Sequence, residues 1–101
     1  MTYFVTRHPG ARAWAAARGL PVDEILAALD PSRVQAGDRV LGTLPVHLAA
    51  QVCARGGRYF HLSLDLPLER RGGELDAAAM DAHGARLEEY CVVRAPEAAF
   101  G

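Results

Sequence analysis

Arg7 and His8, adjacent near the start of the sequence, put a fixed cation beside a titratable imidazole. A guanidinium binds an oxyanion through paired N–H donors. An imidazole gives or takes a proton near neutral pH. Thr6 precedes the pair and Pro9 and Gly10 follow it. Thr2 to Thr6 reads as a short apolar strand, and proline suits the first turn of a helix. The pair therefore stands at a helix mouth, where unpaired N–H groups and a partial positive charge favour an anion. In open α/β sheets, ligands bind beyond the carboxyl ends of strands.

The same plan recurs once. Arg39 to Thr43 is a strand, and Leu44-Pro45 opens a helix that runs to Arg55. Gly42, Thr43, Leu44 and Pro45 form a second helix mouth on the same sheet edge, able to hold a second anion through Thr43 and the N–H groups after it. The alternative for Arg7 is a surface ion pair, and for His8 a capping or packing role.

Further polar residues lie downstream. Arg58 to Leu66 alternates with period two. Phe60, Leu62, Leu64 and Leu66 point one way; Tyr59, His61, Ser63 and Asp65 point the other. A central strand covered on both faces should be apolar on both. The polar face is thus an interface, a ligand pocket or a wet edge. Ser63 and Asp65 can meet a ligand's polar groups or orient His8, although Asp65 beside an anion is repulsive unless shielded. Arg70 and Arg71 sit in a Gly-containing loop, as a lid or as a solvated pair. His47 and His61 are secondary candidates, and His83 reads as an ordinary residue at a helix C-terminus.

The elements around these residues form an α/β chain. The first helix runs from Pro9 or Gly10 to Arg18, with Trp14 anchoring it, and Gly19 and Pro21 end it. Ile25 to Leu29 reads as a second strand, with a turn of helix over Pro31 to Gln35 leading to Gly37-Asp38. The second helix buries Val46, Ala49, Ala50 and Cys53. Asp76 to His83 is a third helix. Arg86 to Arg94 is the last strand, with Leu87, Tyr90, Val92 and Val93 in the core, and residues 95–101 form a frayed tail. The expectation is one homodimeric domain over residues 1–101, a mostly parallel sheet of about five strands with about three helices, small enough that a partner matters to its stability.

Composition narrows the chemistry. The 101 residues carry eleven basic residues, all arginine, and a net charge of −1. Without lysine, Schiff-base chemistry and a P-loop lysine are excluded. Without a basic excess, the chain is not one that coats long nucleic acid. Cys53 and Cys91 lie in apolar segments and read as small buried hydrophobes of a cytoplasmic protein. No signal peptide, membrane-length run, metal-ligand cluster or cofactor motif is visible.

The segments at residues 3–11, 37–49 and 84–90 together resemble a small family of stand-alone type III CRISPR accessory proteins, the Csx family numbered sixteen. The resemblance spans residues 2–94. It implies a Rossmann-like homodimer with the character of a ring nuclease. Such enzymes bind cyclic oligoadenylate, most often cyclic tetra-adenylate, and cut it to switch off the type III response. The residues suit that chemistry. Each ribose 2′-hydroxyl is a nucleophile beside its own phosphorus, so the protein needs only to align it and stabilise phosphoryl charge. No metal or cofactor is then required. An isologous dimer supplies each side chain twice.

Three functions compete: a metal-independent ring nuclease, a module that sequesters the messenger without cutting it, and a structural accessory whose polar strand face is a protein interface. Product analysis separates the first two, and direct binding separates the third.

Overall fold

The computed structural model describes residues 1–67 and 73–97. Five strands form one sheet: β1 (Thr2–Val5), β2 (Glu24–Leu26), β3 (Arg39–Gly42), β4 (Arg58–Ser63) and β5 (Arg86–Tyr90), in the order β2-β1-β3-β4-β5. The first four are mutually parallel, and β5 pairs antiparallel with β4 at the edge. Three helices accompany them: α1 (Pro9–Ala17), α2 (Val46–Ala54) and α3 (Ala77–Ala82).

Strand alternation divides the core between the two faces. Phe4, Leu41 and Leu62 point to the face covered by α1 and α3, where Trp14 and Met80 are buried. Tyr3, Val40 and Tyr59 point to the face covered by α2 through Ala49 and Val52. Successive strand residues lie on opposite sides of the sheet, so one short strand serves both layers.

The first face is tied together by Trp14. Its indole Nε1 donates to Asp81 Oδ1 at 2.9 Å, and the Arg18 guanidinium donates to the same oxygen at 2.9 Å. Arg18 also lies over the Trp14 ring, 5.1 Å from its centroid. Gly10 is buried where α1 meets the backbone ahead of α3. A Cβ there would fall 1.7 Å from the Leu75 carbonyl oxygen.

The link from β2 to β3 must cross β1 in few residues. A 3₁₀ turn over Pro31–Arg33 does this, capped by the Asp30 side chain accepting from Ser32 N–H. Val34 behind it is 1% exposed and plugs the second layer.

Several expectations are corrected. The second strand is Glu24–Leu26, not Ile25 to Leu29, because its pairing to β1 ends at Leu26. Val46 is 73% exposed and Val52 is buried in its place. Val46 opens α2 beyond the sheet edge, so the inward stripe begins a turn later. The last strand stops at Tyr90, where pairing to β4 ends. Tyr90 and Val93 are consequently exposed, and Val92 is half-buried. Cys91 is exposed, while Cys53 is half-buried and packs against the second layer.

Candidate functional site

The sheet has a reversal point between β1 and β3. From β1 the chain passes through α1 to β2 on one side. From β3 it passes through α2, on the opposite face, to β4 on the other side. The connections leave neighbouring strands in opposite directions, and such a divergence opens a crevice at the strand ends.

A cavity of about 290 Å³ lies there. Its floor is apolar, with Phe4, Ala11, Leu62, Leu64, Leu75 and Met80; Thr6, His8, Gly42 and Thr43 bring backbone and polar side chains to it. Gly42 has φ +151°, and a Cβ on it would stand 2.7 Å from the Val5 carbonyl oxygen. Glycine is thus required where β1 and β3 approach at the mouth.

The turn after β1 is shaped by Thr6. Its N–H donates to Leu26 O at 2.8 Å, and its Oγ1 accepts from the His8 N–H at 3.1 Å. This turn delivers His8 to the N-cap of α1, with Pro9 opening the helix. The His8 imidazole is exposed and its Nδ1 lies 3.9 Å from Glu74 Oε1. Arg7 is next to the cavity but does not line it: its Nε donates to Ala27 O at 3.3 Å on the exposed surface.

The turn after β3 is held by Tyr59. Its hydroxyl accepts from Leu44 N–H at 2.9 Å and lies 3.1 Å from Gly42 O and 2.6 Å from His61 Nδ1. Burial pushes the Tyr59 phenol above its ordinary value, while the bond from Leu44 opposes the shift. Pro45 follows as the N-cap of α2.

A model of the family described as "Putative CRISPR-associated protein (Cas_VVA1548)" matches residues 3–93. The chain belongs to this CRISPR-associated family. No curated protein and no solved structure matches it.

In this CRISPR-associated chain the cavity gathers Thr6, His8, Gly42 and Thr43, with Arg7, Pro9, Gly10, Leu44 and Pro45 in the two adjoining turns. It does not gather Ser63, Asp65, His47 or His61. Ser63 alternates with the cavity-lining Leu62 and Leu64, so it faces the other side of the sheet. Asp65 is exposed and paired with Arg86 at 3.1 Å, which supplies the shielding its charge needs. His47 borders a surface groove between α2 and Val92–Arg94, and His61 lies with Tyr59 on the α2 face. Arg70 and Arg71 lie outside the described residues. Among the described residues, no three His, Cys, Asp or Glu side chains group as a metal ion requires. Nor is any helix there long and apolar enough to cross a membrane.

Two contributors escaped the sequence. Glu74 reaches His8 across 66 positions, and no local pattern announces such a contact. Tyr59 was visible as part of a polar strand face, but the match between its hydroxyl and the 42–44 turn depends on strand register.

Proposed function

We propose that this chain is a cytoplasmic, homodimeric ring nuclease. It binds cyclic oligoadenylate, cyclic tetra-adenylate first among the candidates, and opens the ring to end type III CRISPR signalling. The observation that carries the reading is the crevice at the β1–β3 reversal point, lined by both His8 and Thr43 beside two helix N-termini. Membership of a CRISPR-associated family supports it, as does the resemblance to the Csx family numbered sixteen.

The chemistry is transesterification. A ribose 2′-oxygen bonds to the neighbouring phosphorus, the bond from phosphorus to the 5′-oxygen breaks, and a 2′,3′-cyclic phosphate forms. A base takes the 2′-hydroxyl proton, and the 5′-oxygen leaves with a proton. His8 is the acid or base, with Glu74 near enough to orient its ring. Arg7, swung from its exposed bond to Ala27, meets the phosphoryl charge together with the N–H groups that open α1 and α2. The cavity is at the small end of ligand pockets, roughly 300 Å³ and upward. A ring of four adenylates exceeds it, so the ligand lies across the rim and a second copy closes over it.

One observation favours sequestration without cleavage. Arg7 is engaged with Ala27, so the Arg7–His8 pair is not assembled over the cavity. Single-turnover assays with cyclic tetra-adenylate and its 2′-O-methyl analogue separate the readings. A nuclease binds both and cuts only the first. A sequestering module binds both and cuts neither. Failure to bind either ring removes the proposal.

A further inference from the structure

We infer that Tyr59 is the positioning residue for the 42–44 turn, and that it fixes His61 as the Nδ1–H tautomer to do so. The Tyr59 side chain is 3% exposed and its oxygen has three close neighbours: Leu44 N, Gly42 O and His61 Nδ1. A tyrosine hydroxyl has one proton to give and two lone pairs to receive with. Leu44 N–H occupies one lone pair. If His61 Nδ1 carried no proton, it and the Gly42 carbonyl would compete for the single O–H. With a proton on Nδ1, every group is satisfied. Leu44 N–H and His61 Nδ1–H donate to the oxygen, and the hydroxyl donates to Gly42 O. Otherwise two acceptors, Gly42 O and His61 Nδ1, would face one oxygen with a single proton to share between them.

The groups around His61 leave this arrangement intact. From β5, Tyr90 meets the imidazole edge-on with centroids 6.0 Å apart. Glu88, opposite His61 in the ladder, stands 3.7 Å from Arg86 Nε. From α2 and the turn before it, Val46, Ala49 and Leu44 border the same pocket and bring no charge. Ser63, on the same strand face, is likewise uncharged.

The consequence falls on Thr43. Its two neighbours in sequence, Gly42 through C=O and Leu44 through N–H, are clamped to one buried oxygen, so the exposed Thr43 is presented at the cavity rim from a fixed turn. The importance of that rim for a ligand rests on the proposed ring-nuclease reading; the tautomer and the clamp do not.

The test is nitrogen-15 NMR of the imidazoles with hydrogen exchange at the Leu44 amide. In the native chain, neutral His61 is expected as Nδ1–H, against the usual preference of free histidine for Nε2–H. In Tyr59→Phe, His61 reverts to Nε2–H and the Leu44 amide exchanges about tenfold faster, the scale of one lost hydrogen bond. His61→Asn, whose amide N–H can replace Nδ1–H, retains Leu44 protection; His61→Leu loses it. The histidine variants keep the test decisive if Tyr59→Phe does not fold. Neutral Nε2–H in the native chain, or equal Leu44 protection in His61→Asn and His61→Leu, overturns the inference. Binding of cyclic tetra-adenylate is measured in parallel and should weaken about tenfold in His61→Leu but not in His61→Asn. If the native chain shows the tautomer but binds no ring, the functional reading fails and the clamp stands.

Discussion

Val5 and Gly42 are direct partners at the ends of β1 and β3, and a Cβ on residue 42 would stand only 2.7 Å from the Val5 carbonyl oxygen. This approach brings the two helix mouths together. The strands stay paired to their last residue while their connections part toward opposite faces, so Thr6–His8 and Thr43–Pro45 end on the two sides of one crevice.

Gly42→Ala therefore strains the backbone and drives a methyl group into β1. The expected loss is about 1–3 kcal/mol, the usual scale of overpacking. Urea denaturation measures it, and ring binding should weaken in the same variant. Unchanged stability would mean that the strand ends have room to part.

Acid should loosen the Trp14 layer. The Arg18 bond, and then the Trp14 indole, hold the Asp81 carboxyl below its ordinary value. The Gln35 N–H, and then the terminal ammonium, do the same for Asp38. A carboxyl lowered in the folded state contributes stability above its ordinary range and loses it as pH falls through that range toward the folded value. Stability should thus fall below about pH 4. Asp81→Asn should flatten that fall, with Trp14 fluorescence as the probe. An identical pH profile in Asp81→Asn would remove the role given to this carboxylate.

Arg7→Ala and His8→Ala should fail differently. The first loses a donor to phosphoryl charge, so affinity and rate both drop, by about 2–4 kcal/mol at the transition state. The second keeps its affinity and loses roughly 10²–10⁴ in single-turnover rate. Glu74→Gln should cost less than His8→Ala, because it disturbs the ring's orientation and not its proton. Native rates in His8→Ala would leave His8 as the N-cap of α1 alone.

Much of the fold was legible because its punctuation is local. Pro9 and Pro45 mark helix starts, Gly19 and Gly84 mark helix ends, and the alternation from Tyr59 to Leu64 marks a strand with two faces. Both helix mouths followed from these signals. What was not legible depends on the sheet's extent. Val46 and Val93 are apolar but are not covered by any layer among the described residues, so hydrophobicity alone misassigns them to the core. The His8–Glu74 approach and the Tyr59 clamp join residues through tertiary placement and strand register. The assignment of Ser63 and His61 to the ligand failed to gain support for the same reason: alternation turns them away from the cavity that Leu62 and Leu64 line.

The most direct test is incubation of the purified chain with cyclic tetra-adenylate in EDTA, followed by chromatography and mass analysis of the products. The expected result is disappearance of the ring and a linear product ending in a 2′,3′-cyclic phosphate. An intact ring, with no binding in a parallel titration, would contradict the proposed function.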